Sequence, residues 1–78
     1  MATENWILKE YFEGKDGMIS DVLGFYPTKT EALGKAMQIG KDILVDGYKV
    51  RGFSVFDDYI SLEYKNSNGL IKLCIEES

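Results

Sequence analysis

The chain has 78 residues, enough for one small α+β domain over residues 1–78 with a thin hydrophobic core. It contains 13 acidic and 9 basic residues, a net charge of −4, with no histidine and a single cysteine, Cys74. These counts exclude a Cys/His zinc site, a disulfide within the chain and a histidine-based catalytic triad. No uninterrupted apolar run exceeds three residues, so we expect neither a membrane span nor the hydrophobic region of a signal peptide.

Two β-strands are predicted in the first third of the chain. The segments Trp6–Glu13 and Met18–Phe25 are rich in aromatic and β-branched residues, which suit a pleated sheet. Residues 14–17 (GKDG) have the composition of a tight turn, because glycine and aspartate adopt turn conformations readily. The first third therefore predicts a β-hairpin.

One helix is predicted over Thr28–Asp46, a segment that holds none of the ten aromatic residues. Thr28 and Glu31 have the spacing of a capping box, in which each side chain accepts a hydrogen bond from a free backbone N–H at the helix start. Pro27 cannot lie inside the helix, and Gly47 supplies a left-handed stop after it. We therefore expect a helix with well-defined ends.

The buried side of this helix should be almost bare of side chains. At 100° per residue, the apolar residues fall on one arc of about 160°, and Ala32, Ala36 and Gly40 lie along its centre. Large rings from a sheet could fill the resulting trough. The candidates are Trp6, Phe12 and Phe56.

Three further strands are predicted after the helix. They are Tyr48–Phe56, Tyr59–Lys65 and Leu70–Glu76. Asp57-Asp58 separates the first two, and Asn68-Gly69, which accommodates positive φ, forms the corner before the last. The last two strands alternate apolar with polar residues, so one side of each should face the helix. The apolar positions are Ile60, Leu62, Tyr64, Ile71, Leu73 and Ile75.

The element order is β-β-α-β-β-β, which predicts an antiparallel five-stranded sheet with one helix packed on one face. The order of the strands in the sheet stays open. The third strand is ambiguous as well, because either the set Val50, Gly52, Ser54, Phe56 or the set Arg51, Phe53, Val55 could be buried.

The residues of this sequence that could take part in catalysis or metal binding form no catalytic arrangement. Asp57 and Asp58 are typical of a solvated turn, since a metal site needs more converging oxygen ligands. Cys74 should lie on the face opposite Leu73 and Ile75, with Lys72 as its only basic neighbour there, and we expect an inert thiol. We therefore predict no enzyme, no metal and no cofactor.

Surface charge and aromatic residues favour a protein partner. Residues 1–27 hold five acidic and two basic side chains, and a basic partner would be attracted to them. The alternative is that this charge only keeps a small domain soluble. One face of the sheet would lack a helix, and rings mixed with charges there resemble a contact patch. The predicted partner-binding residues are Glu10, Tyr11, Glu13, Asp16, Asp21, Arg51 and Phe53.

Two alternatives come from other classes of protein. The segment Arg51–Phe56 resembles the RNP1 signature of RNA-recognition domains, which implies base stacking on the sheet through Arg51 and Phe53. It departs from RNP1 at its last two positions, and the net negative charge and scattered lysines argue against nucleic acid. The second alternative is a homodimer or accessory domain built on the open face of the sheet.

In size, acidity and element order the chain resembles the small inhibitors that phages and mobile elements encode, such as anti-CRISPR proteins. The resemblance implies a cofactor-free inhibitor that occupies the basic surface of a nucleic-acid-handling complex. The carboxylates of the first hairpin would stand in for phosphates, with Tyr11 as an anchor. The lone cysteine suits a reducing compartment, and we expect a cytoplasmic protein of the producing or infected cell.

Overall fold

A computed structural model describes residues 5–77 of the chain. In this range five strands form one antiparallel sheet, and one helix packs on one of its faces. The elements are β1 (Trp6–Gly14), β2 (Gly17–Tyr26), α1 (Lys29–Val45), β3 (Lys49–Phe56), β4 (Tyr59–Asn66) and β5 (Gly69–Glu77). The predicted α+β class and the order β-β-α-β-β-β are confirmed.

The strand order in the sheet is β2-β1-β5-β4-β3. Three of the four pairings are hairpins between consecutive strands, whereas β1 pairs with β5 from the other end of the chain. The first and last strands therefore form the centre of the sheet, and β2 and β3 are its two edges. This arrangement decides which surfaces remain available for binding.

The helix ends follow the expected capping chemistry with one difference. The Thr28 hydroxyl oxygen accepts a hydrogen bond from the Glu31 backbone N–H at 3.2 Å. The Glu31 carboxylate accepts from the Thr28 hydroxyl at 3.4 Å, rather than from a backbone N–H as the capping box predicts. Gly47 ends the helix with φ +96°, as its position after Asp46 predicted.

The hydrophobic core lies between the buried side of α1 and one face of the sheet. Ala32 and Ala36 are completely buried, and Gly40 is buried too, so the stripe of small residues lies against the sheet as predicted. The buried apolar residues of the core are Leu8, Ala32, Ala36, Ile43, Ile60, Tyr64, Leu73 and Ile75.

The side chain that fills the trough beside Gly40 is Tyr64, which sequence analysis had not proposed for this role. A Cβ at Gly40 would overlap the Tyr64 hydroxyl and lie 3.2 Å from the ring carbon that carries it. Of the three predicted fillers, only Trp6 packs against the core. The prediction is wrong for Phe56, which is 61% exposed, and for Phe12, whose ring lies beside Gly14 and Gly69 at the hairpin ends.

The turn between β4 and β5 also differs from the prediction. Within residues 5–77 positive φ occurs only at Gly17 and Gly47, so Asn68-Gly69 is not a left-handed corner. Instead, the Asn66 side-chain oxygen accepts hydrogen bonds from the backbone N–H groups of Asn68 (2.8 Å) and Gly69 (3.1 Å). A side chain at position 69 would overlap the backbone oxygen of Glu13, because β1 passes close by.

The helix contains one exposed glycine, Gly34, and one buried glycine, Gly40, so alanine substitutions at these two positions make a matched test of the packing. We expect Gly34→Ala to raise the free energy of unfolding by about 0.5–1 kcal/mol, because no neighbour lies within reach of the added methyl group. Gly40→Ala should instead lower it by about 1 kcal/mol or more, because overlap with Tyr64 outweighs the gain in helix propensity. Urea unfolding monitored by circular dichroism measures both values.

Removing the Tyr64 hydroxyl provides the control. In a Tyr64→Phe background the penalty of Gly40→Ala should shrink, because the overlapping oxygen is gone. Equal stabilisation by Gly34→Ala and Gly40→Ala would contradict the close approach of helix and sheet.

Candidate functional site

The single helix of residues 5–77 packs on one face of the sheet, and we call the other face the bare face. Across its middle runs a row of cross-strand neighbours in which Lys9 lies opposite Cys74, Cys74 opposite Ser61, and Ser61 opposite Ser54. Three of these four side chains are small. The rows on either side carry larger groups, among them Tyr11 and Tyr59. The bare face is therefore indented along its centre.

Tyr11 and Tyr59 border a groove of about 270 Å³ on the bare face, which we call the tyrosine groove. Met18 and Leu70 supply further apolar walls, and Cys74 lies at its base with 2% of its surface exposed. Charged ends surround it: Lys9 forms an ion pair with Glu76, and the Lys72 Nζ lies 6.0 Å from the centre of the Tyr59 ring. The groove therefore offers apolar walls with a charged rim, as protein-binding patches do.

Cys74 is held as a neutral thiol in this groove. Burial raises its pKa above the usual value, and the thiol shares a hydrogen bond of 3.3 Å with the Tyr59 hydroxyl, whose own pKa burial also raises. The prediction that Lys72 is its only basic neighbour is wrong, because Lys9 lies directly opposite on β1. Lys9 is paired with Glu76, so it does little to activate the thiol.

The raised pKa of Cys74 predicts slow chemistry and a pH-dependent stability. We expect iodoacetamide at about pH 8 to alkylate the folded protein at least tenfold more slowly than the urea-unfolded chain. A thiol whose pKa rises on folding contributes its full stabilisation below the unfolded pKa of about 8.5 and loses it as the pH rises through the folded pKa. The melting temperature should therefore fall as the pH rises above about 8.5.

Cys74→Ser is the control for this effect, because serine retains a hydrogen-bonding group opposite Tyr59 but does not titrate in this range. The variant should show a smaller fall in melting temperature over the same pH range. Rapid alkylation of the folded protein, or identical pH profiles, would contradict a buried neutral thiol.

The structure divides the predicted partner-binding residues of the first hairpin between several surfaces. Tyr11 and Glu13 lie on the bare face, whereas Glu10 and Asp21 are direct cross-strand neighbours on the face that carries the helix. Asp16 lies in the turn between β1 and β2. The carboxylates thus surround the hairpin rather than forming one patch. Glu4, which contributes to the acidic count of this segment, lies outside the described residues.

Arg51 and Phe53, the residues predicted for base stacking, lie on opposite faces. The Arg51 guanidinium is 3.9 Å from the Glu63 carboxylate, at the point where a bulge interrupts the pairing of β3 with β4. Phe53 pairs with Leu62 on the helix side, with 70% of its surface exposed. The two side chains do not form a common surface, and the arrangement does not support stacking of nucleic-acid bases on both.

Sequence reasoning missed a second groove, on the helix side, which we call the α1–β3 groove. The helix packs over β1, β2 and β5, so β3 at the edge is left uncovered. Between the helix and β3 lies an apolar groove of about 270 Å³. Its apolar side chains are Met37, Leu44, Val50, Phe53, Leu62 and Tyr64. The apolar residues of β3 could be read from the sequence, but only the strand order shows that nothing in residues 5–77 covers Val50 and Phe53.

Other classes of site have no support among residues 5–77. No group of three or more Asp, Glu or Cys side chains in this range is arranged to hold a metal ion. The helix of the described range is too short and too polar to cross a membrane. Comparisons with protein-family models, curated proteins and solved structures found no match to this chain.

Proposed function

We propose that the protein is a non-catalytic protein-binding module, an inhibitor or regulator that docks its first hairpin and its bare face on a basic surface of a partner. The observation that carries this proposal is the bare face itself, a full side of the sheet with large apolar side chains in solvent. Met18 is 63% exposed, and Phe25 and Phe56 are more than half exposed on the same face. Exposed apolar surface of this kind is typical of interaction sites.

The tyrosine groove supports the docking of a partner side chain. Tyrosines dominate binding energy in many interfaces because they add large contact area with few rotatable bonds. Tyr11 and Tyr59 are half-buried in the free protein, so their positions are already set by their neighbours. A preformed groove of this kind reduces the loss of conformational entropy on binding.

The charge of the hairpin favours a basic partner. Four carboxylates surround the hairpin and two lysines accompany them, of which Lys9 is already paired with Glu76. Glu10 and Asp21 lie directly opposite each other, and neither forms an ion pair with any side chain in residues 5–77. Like charges in this position repel, and because the pair lies on the helix side, a cation relieves the repulsion only where the partner also contacts that side of the hairpin. The resemblance to phage inhibitors suggests a nucleic-acid-handling complex as the source of that cation.

A charge reversal at the hairpin tests the electrostatic part of the proposal. We expect Glu13→Lys/Asp16→Lys to reduce capture of the partner at least tenfold, because attraction to a basic surface becomes repulsion. The measurement is affinity capture from a lysate of the source organism, with quantitative mass spectrometry of the bound proteins. Asp42→Lys/Asp46→Lys, at the end of the helix, makes the same change in net charge and should leave capture unchanged.

A second pair of variants tests the bare face. Met18→Ser removes an exposed apolar side chain beside the tyrosine groove and should weaken capture of the same protein. Val45→Ser removes an even more exposed apolar residue from the helix and should not weaken capture. The proposal fails if no captured protein responds to the hairpin variant differently from its control.

A further inference from the structure

The two edge strands of the sheet differ in their protection against pairing with another chain. Along β2 a bulge interrupts the pairing with β1, Asp21 places a charge on the helix side, and Pro27 follows directly. Bulges, inward charges and prolines are the features that block edge-to-edge association. Along β3 the bulge and the cations Lys49 and Arg51 lie at the start of the strand, whereas the residues from Gly52 to Phe56 contain no charge and no proline and pair regularly with β4. The β3 edge is therefore the open one.

The surface beside this open edge is apolar. Val50, Phe53 and Val55 point to the helix side of β3, and each has at least 60% of its surface exposed. Met37 and Leu44 continue the same surface onto the helix across the α1–β3 groove. A strand added at the β3 edge would cover side chains that nothing in residues 5–77 covers.

The charges around β3 are self-complementary, which identifies the occupant. Lys49 and Arg51 lie at the start of the strand, and Asp57 and Asp58 follow directly after its end. When two identical strands pair in antiparallel orientation, the start of each lies beside the end of the other. Two copies paired through β3 therefore bring cations beside anions at both ends, although each chain carries a net charge of −4.

We propose that a second copy of this chain pairs with the β3 edge in antiparallel orientation about a two-fold axis at Ser54, joining two five-stranded sheets into one. With the axis at Ser54, Phe53 lies opposite Val55 of the second copy on the helix side. On the bare face Phe56 lies opposite Gly52 of the second copy, where a ring can cover the missing side chain. By position along the chain, Arg51 at the bulge comes beside Asp57 of the second copy, in the turn that follows the strand.

The backbone alternation is compatible with this register. Asp57 and Asp58 form a two-residue turn, so Phe56 and Tyr59 are a hydrogen-bonded pair. Hydrogen-bonded and non-hydrogen-bonded pairs alternate along the ladder, so the N–H and C=O groups of Phe53 and Val55 point away from β4. With the axis at Ser54, Phe53 forms two backbone hydrogen bonds with Val55 of the second copy, and Val55 forms the same two with Phe53 of the second copy. An axis at Phe53 or Val55 also pairs outward-pointing backbone groups, but it loses the Arg51–Asp57 pair, so this charge pair selects the axis at Ser54.

This dimer goes beyond the proposed function and does not depend on it. The hairpin β1–β2 forms the opposite edge of each sheet, so both hairpins remain free at the outer ends of the assembly. The hairpin reversal Glu13→Lys/Asp16→Lys should therefore leave the dimer intact while it reduces partner capture at least tenfold. Partner capture therefore tests only the proposed function, and the monomer–dimer equilibrium tests only the dimer.

Analytical ultracentrifugation over about 1 μM to 1 mM protein tests the assembly, and we expect a monomer–dimer equilibrium in this range. Arg51→Asp should weaken the dimer at least tenfold, because it places like charges together at both ends. Arg51→Asp/Asp57→Arg should restore it to within about threefold, since the opposite charges still meet after the exchange. Lys35→Asp, on the exposed side of the helix, makes the same change in charge as Arg51→Asp and should have no effect.

Crosslinking tests the register. In a Cys74→Ser background, Ser54→Cys places two thiols across the proposed axis at a spacing that a disulfide can span, and mild oxidation should give a covalent dimer. Ser20→Cys on the β2 edge is the matched control and should stay monomeric under the same conditions. If the protein remains monomeric at about 1 mM, the proposal is wrong, and a strand of a different protein becomes the alternative occupant of the β3 edge. Crosslinking through Ser20→Cys alone overturns it in favour of the other edge.

Discussion

The close approach of α1 to the sheet is the contact on which the rest of this structure depends. Ala32, Ala36 and Gly40 present almost no side chain, so the helix backbone lies near the sheet and the Tyr64 hydroxyl occupies the place of a Cβ at Gly40. In a chain of 78 residues the core is thin, and dense packing here must compensate for its small size. Any larger side chain along this stripe would push the helix away from the strands.

One helix cannot cover five strands, and both candidate binding surfaces follow from that limit. The helix lies over β1, β2 and β5, so β3 stays uncovered on the helix side and every strand stays uncovered on the other. Side chains such as Phe53 and Phe56 on the two faces of β3 are therefore in solvent. Larger domains add a second layer of helices at such places. Here the same places are available to other molecules.

The two proposed interactions use opposite edges of one sheet and different physical forces. At β2 and the first hairpin, carboxylates that form no ion pair within residues 5–77 act at long range, and the exposed side chains around Met18 act on contact. At β3, free backbone groups and apolar side chains supply most of the attraction, while Arg51 and Asp57 select a second copy in one register. The two sites are separated by the width of the sheet, so a dimer through β3 would carry two outward-facing hairpins and could bind two partners at once.

Local patterns in the sequence determined the helix and the strands, because helix caps, turn residues and apolar periodicity act over a few residues. Thr28 and Gly47 marked the ends of the helix, and the spacing of its small residues was enough to identify its buried side. Only the tertiary structure decided the strand order, since the pairing of β1 with β5 joins residues from opposite ends of the chain and leaves no local signal. From that order follow the selection of Tyr64 beside Gly40 and the exposure of the β3 edge, whereas the separation of Glu10 from Glu13 follows from the alternation of side chains along β1. A binding surface is assembled across strands, and its composition is therefore set by which strands become neighbours.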